Sequence, residues 1–127
     1  MQYFAVAGTH GICPFGWHIP TDTEQDTLDQ SQNNTTCSSS CTAYACADAG
    51  TKLKFGGTSG FNGELAGYRS SVGGTFDAKG ISGTFWSSAN SGGNNFWTKD
   101  LSISQTTTVG RFYNNRVYGF SASCLKD

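Results

Sequence analysis

Glycine punctuates the middle of this chain so often that neither a long helix nor a long strand fits there. Gly56, Gly57, Gly60, Gly63, Gly67, Gly73, Gly74, Gly80 and Gly83 are separated by single aromatics such as Phe55, Phe61, Tyr68 and Phe76. Glycine serves turns, and an isolated aromatic needs something to pack on. The pattern therefore predicts short strands and long turns pinned to a small core. A chain of 127 residues suits one such domain, spanning 1–127. Charged residues make up only 13 % of it, about half the globular average of ~25 %, so solubility rests on Ser, Thr, Asn and Gly. The net charge of -1 comes without a basic or acidic run, which leaves no electrostatic footprint for nucleic acid or an anionic membrane. No stretch approaches the ~20 apolar residues of a membrane span. Direct insertion by this segment is not expected, and any anchor or secretion signal is expected outside it.

Helical signals are confined to the first half. Thr21-Asp22-Thr23-Glu24 has the form of a capping box, which predicts a helix from there to about Gln30. Its apolar face is thin, with Leu28 as main anchor, so it is expected on the surface. Ser31 to Ser40 reads as a polar loop in which Asn33 and Asn34 each head an N-x-Thr sequon. Thr42 to Ala49 is Ala-rich and reads as a second short helix, stopped by Gly50.

The clearest strand signal comes late. From Trp97 to Ser104 the odd positions are Trp, Lys, Leu and Ile, and the even ones Thr, Asp, Ser and Ser. Period-two alternation over this length is a half-buried strand. Trp97, Leu101 and Ile103 are expected to face the core, and Thr98, Asp100, Ser102 and Ser104 to face outward. Gly110 to Ala122 is also strand-like, but Phe112, Tyr113 and Tyr118 cluster there among Arg111, Asn114, Asn115 and Arg116. They cannot all be buried, so some stand at the surface.

Five cysteines are many for this length: Cys13, Cys37, Cys41, Cys46 and Cys124. They read either as a disulfide framework in an oxidising compartment or as a metal site. Spacings of four and five among Cys37, Cys41 and Cys46, with no histidine nearby, favour disulfides and no metal. Any of the three local pairings is open, and Cys37–Cys46 is preferred because the longer loop strains least.

Catalytic signatures are missing. His10 and His18 are the sole histidines, and His18, beside Trp17 and Ile19, reads as structural. No G-x-S-x-G elbow, H-E-x-x-H motif or phosphate loop occurs. The carboxylate pairs Asp22/Glu24 and Asp26/Asp29 fall on a helix expected to be solvated. The reading is a protein that is not an enzyme and takes no cofactor. Calcium-dependent sugar lectins use Glu-Pro-Asn or Gln-Pro-Asp triplets as oxygen ligands. No proline follows Pro20, so calcium-mediated sugar binding is not expected either.

Several motifs in order resemble a known family. Cys13-Pro14-x-Gly16-Trp17-His18-Ile19-Pro20, then Gly67-Tyr68-Arg69, then Phe85-Trp86-Ser87-Ser88, then Gly119-Phe120-Ser121-x-x-Cys124 resemble the Fibrobacter-type major paralogous domain. The resemblance implies an α+β, C-type-lectin-like fold, with two short helices on small twisted antiparallel sheets and long Gly-rich loops. It also implies a Cys13–Cys124 disulfide. The insert from Asn33 to Cys46 departs from the family pattern.

The closing segment is similar to the variable regions of proteins diversified by retroelements, in which substitutions fall at positions where an unmutated template would encode Asn. Trp97, Leu101, Val109, Arg111, Gly119 and Phe120 stand at the fixed places, and Asn114 and Asn115 resemble retained template residues. The variable, ligand-binding segment is then about 94–118. The implied ligand-binding set is Thr98, Asp100, Ser102, Ser104, Gly110, Phe112, Tyr113, Asn114, Val117 and Tyr118. Tyr and Phe offer rigid contact area while Ser, Asn and Gly adapt hydrogen bonds, a composition that suits recognition. The expected function is recognition of a protein or glycan on another cell or surface, by a domain displayed outside the cell or on a virion. The alternative is an invariant, calcium-independent carbohydrate-binding or adhesin module.

Overall fold

A computed structural model describes residues 10–32 and 48–127. The elements in chain order are β1 (Trp17–His18), α1 (Asp22–Ser31), α2 (Ala49–Leu53), β2 (Tyr68–Arg69), β3 (Phe76–Asp77), β4 (Ser82–Gly92), β5 (Asn95–Ser102), β6 (Gly110–Asn115) and β7 (Leu125–Lys126). The architecture is α+β. Among the described residues two helices accompany an antiparallel three-stranded sheet, β4-β5-β6, and two small ribbons, β1-β7 and β2-β3. The sequons, Cys37, Cys41, Cys46 and most of the Thr42–Ala49 segment lie outside the described residues.

Adjacent side chains on β4 point to opposite faces of the sheet, and each face supports its own core. Phe85 joins Ala49, Leu53, Leu101 and Val109, with Leu28, Phe61 and Leu65 packed around them. Trp86, next in sequence, joins Cys13, Ile19 and Phe120, flanked by Tyr68, Phe96, Tyr118 and Ala122. The second core is assembled by the two ends of the chain. Trp17 pairs with Lys126 and His18 with Leu125, and Cys13 is bonded to Cys124 with Cα atoms 5.8 Å apart. Ser121 then runs beside β4, accepting from the Trp86 amide and donating to the Thr84 carbonyl, each at 2.9 Å. That pairing delivers the Phe120 ring to within 4.7 Å of Trp86.

Helix α1 starts where the capping box places it. The Glu24 amide donates to Thr21 Oγ1 at 3.2 Å, and the Thr21 amide donates to Glu24 Oε2 at 2.8 Å. Its attachment differs from expectation. The buried residues of α1 are Gln25 and Asp29, with Leu28 only half-buried. Gln25 donates to the Trp86 carbonyl at 3.1 Å, Lys99 of β5 is paired with Asp29, and Arg111 of β6 donates from Nε to Asp22 at 2.9 Å. Asp22 and Asp29 thus point at the sheet, where Arg111 on β6 and Lys99 on β5 meet them.

The second described helix, α2, contains Gly50 rather than stopping at it. There is no room for a side chain at that position: a Cβ on Gly50 would sit 2.2 Å from the Thr108 carbonyl oxygen. Glycine lets the helix backbone touch the loop that follows β5, where the Gly50 amide donates to the Thr107 carbonyl at 2.9 Å. Gly67 has a related role. Its φ of +74° and the Asp77 carbonyl, which a Cβ would approach to 2.1 Å, admit only glycine before Tyr68.

His18 ties the terminal ribbon to α1. Its Nδ1 lies 2.6 Å from Asp127 Oδ1 and its Nε2 lies 3.1 Å from Glu24 Oε2. Ionised carboxylates only accept, so this arrangement favours the protonated ring, which donates from both nitrogens. The bond to Asp127, then that to Glu24, raises the His18 pKa above 6.5. A raised folded pKa gives stability that is full below the unfolded value and lost as pH rises through the folded one. Urea melts from pH 6 upward should show the wild type losing its advantage over His18→Gln as pH rises. NMR titration should place the ring's midpoint above that of free histidine.

Candidate functional site

One face of the three-stranded sheet is polar where the terminal core does not cover it. Register places Ser82, Thr84 and Trp86 of β4 opposite Ser102, Asp100 and Thr98 of β5. On the other side Asp100, Thr98 and Phe96 of β5 stand opposite Gly110, Phe112 and Asn114 of β6. Trp86 and Phe96 are taken into the core, and the small polar residues form the floor of a concavity. Tyr118 and Phe120 rise along its side, their rings stacked with centroids 5.5 Å apart, and Tyr68 meets Tyr118 edge-on at 6.2 Å. The concavity has a volume of about 430 Å³.

Its floor is tied together by hydrogen bonds. Thr84 Oγ1 donates to Asp100 Oδ1 at 2.8 Å, and Asn114 Nδ2 donates to Thr98 Oγ1 at 2.9 Å. Thr98 Oγ1 in turn donates to the Phe112 carbonyl at 3.4 Å. Ser102 and Ser104 share a hydroxyl contact at 2.9 Å just beyond the strand. These bonds order the floor and leave the aromatic side groups to offer contact area.

Of the ten residues nominated from sequence, Thr98, Asp100, Ser102, Phe112, Tyr113, Asn114 and Tyr118 line this concavity. Ser104, Gly110 and Val117 do not. Ser104 is exposed in the loop after β5, Gly110 is buried at the start of β6, and Val117 is exposed in the turn after β6. Outward orientation does not mean exposure. Thr98 is 1 % and Ser102 5 % exposed, because these short side chains sit low between neighbouring strands. On the opposite face Leu101 is buried as expected, whereas Ile103 is 52 % exposed: β5 ends at Ser102, so its alternation no longer applies.

Trp97 is half-buried rather than central to a core. The Arg111 guanidinium lies 3.5 Å from its ring centroid, and Tyr113, 57 % exposed, packs edge-on against it at 5.8 Å. Phe112 and Tyr118 are half-buried. The aromatics of the closing segment therefore divide between two sides of β6. Tyr68, Ser82, Thr84 and Phe120 complete the concavity without having been nominated. Tyr68 follows a glycine that no side chain can replace, but nothing in its own sequence context places it beside β6.

Among the described residues no group of three or more His, Cys, Asp or Glu side chains is placed to hold a metal ion, and no helix is long and apolar enough to cross a membrane. The family model of the Fibrobacter succinogenes major domain matches residues 2–126. No curated protein and no solved structure matches the chain significantly.

Proposed function

The chain belongs to the Fibrobacter succinogenes major domain family, and on that premise we propose that it is a ligand-binding domain of C-type-lectin-like fold, diversified by a retroelement and displayed outside the cell. The observation that carries this reading is the convergence of seven nominated residues on one concavity of about 430 Å³. The disulfide supports an oxidising, extracytoplasmic setting. The partner is a protein or glycan on another surface, recognised without cofactor or metal and with no chemical step. A second reading, an invariant glycan-binding module, is favoured by the Tyr68 and Tyr118 rings beside Asp100 and Asn114, since sugars are held by aromatic faces and hydrogen-bonding side chains.

A library test separates the two. Codons 100, 112, 113 and 114 are randomised and the domain is displayed on yeast. Most members are expected to stay folded, and selection against unrelated purified proteins should yield binders. A library that mostly unfolds would rule out diversification at this surface. Tyr113→Ser alone should shift stability by no more than ~0.5 kcal/mol, as exposed substitutions do. If the wild type instead binds one sugar class on a glycan array, and the randomised members lose it without gaining targets, the invariant module is correct. Under either reading, millimolar calcium should leave the melting temperature unchanged; a clear rise would reveal a calcium site.

A further inference from the structure

The contact that fastens α1 to the sheet joins two buried titratable groups that ligand binding does not use. Lys99 and Asp29 side chains are 2 % and 7 % exposed. Lys99 Nζ touches Asp29 Oδ1 and donates to the Gln25 carbonyl at 3.0 Å. The Phe61 ring centroid is 5.9 Å from Nζ, and a cavity of about 300 Å³ walled by Leu28, Phe61 and Leu125 opens beside Lys99. Asp26 stands one turn before Asp29, on the same side of α1, where residues three apart are neighbours. An amine and a carboxyl group are thus held in contact, out of water, with a second carboxyl group three residues away on the same helix.

We propose that Lys99 and Asp29 condense into an intramolecular amide, a covalent staple between α1 and β5. The neutral Nζ attacks Cγ of the protonated Asp29 carboxyl group. A C–N bond forms and a C–OH bond breaks. Asp26 takes the proton that nitrogen releases and delivers it to the departing hydroxyl. One water leaves through the adjoining cavity, and neither an oxidant nor an activated reagent is required. The remaining N–H still has the Gln25 carbonyl as acceptor.

Two physical effects make the step accessible here when it is not in solution. In water the ionised acid and amine are too well hydrated to condense. Burial pushes the Asp29 carboxyl pKa up and the Lys99 ammonium pKa down, so one proton exchanged within the pair leaves both groups uncharged. Holding the partners in contact adds an effective molarity on the order of 10⁵–10⁸ M. Asp26 is also pushed up by burial, and its charge acts on both partners, as a proton relay between them requires.

Intact mass spectrometry on the full chain, reduced and denatured, is the test. The wild type should be lighter than its sequence mass by one water, and tryptic digestion should yield a branched peptide joining residues 29 and 99. Lys99→Ala and Asp29→Ala should each show the full mass, whatever their fold. Asp26→Asn, if its circular-dichroism melt shows a folded chain, should cross-link at least ~100-fold more slowly, the usual scale of a lost proton-transfer group. A wild type at full sequence mass after prolonged incubation overturns the proposal, as does water loss that persists in Lys99→Ala. An unslowed Asp26→Asn chain removes Asp26 from the step. None of these outcomes bears on ligand binding.

Discussion

Replacing Trp86 with alanine is expected to destabilise the domain by ~3–5 kcal/mol, the range for a large aromatic removed from a closed core. Trp86 is 0 % exposed. It packs on Phe120 in the core that also holds Cys13 and Ile19, so its ring is where the two ends of the chain and β4 meet. Small domains have only about 5–15 kcal/mol in total, and the substitution should lower the melting temperature by at least ~10 °C. Trp97→Ala should cost clearly less. That ring is half-buried, and what it loses is the Arg111 guanidinium and the Tyr113 edge, a cation–π contact of about 0.5–2 kcal/mol plus modest area. Urea midpoints of the two variants measured side by side check the order. Equal losses would mean that the two faces of the sheet do not differ as described.

The second large effect is expected at the Cys13–Cys124 bond. It joins residues 111 apart in sequence, and the chain-entropy treatment of a loop of about 100 residues gives ~4.7 kcal/mol. Measured losses on removing native disulfides from small domains are typically ~2–5 kcal/mol. A Cys13→Ala/Cys124→Ala chain should therefore melt at least ~8 °C below the wild type. The loss should be concentrated at the terminal ribbon, since Cys13 lies in the core that holds Trp86 and Phe120 rather than the one under α2. Hydrogen exchange would show this as faster exchange of the Trp86 amide, which is bonded to Ser121. The Leu101 amide should exchange as before. Uniform acceleration at both amides would instead indicate one cooperative unit held together by the bond.

Both experiments also bear on the concavity, because the residues that close it depend on the terminal core. Tyr118 stacks on Phe120 and Phe120 on Trp86. Loosening the clasp should move the aromatic side of the surface and leave its floor of Thr84, Thr98 and Asn114 in register. A binder that contacts the floor would tolerate the change better than one held by Tyr118.

Local physics is legible in the residues themselves. The capping box at Thr21 and Glu24 starts a helix through bonds between residues three apart, so no distant partner is needed to predict it. The alternation from Trp97 to Leu101 assigned sides correctly because side chains on a strand must alternate. Glycine recurrence announced turns for the same local reason. Which residues would be exposed was not legible. Thr98 and Ser102 face away from Leu101 yet are buried, since their neighbours are strands paired from elsewhere in the chain, β4 beside both and β6 beside Thr98. The helix shows the difference most sharply. Asp22, Asp26 and Asp29 read as a solvated acidic face, because carboxylates are rarely buried without partners. Only tertiary structure brings Arg111 to Asp22 and Lys99 to Asp29 across 89 and 70 residues. A charge's partner, unlike its helix face, is set by strand pairing, and pairing is a property of the whole chain rather than of any segment in it.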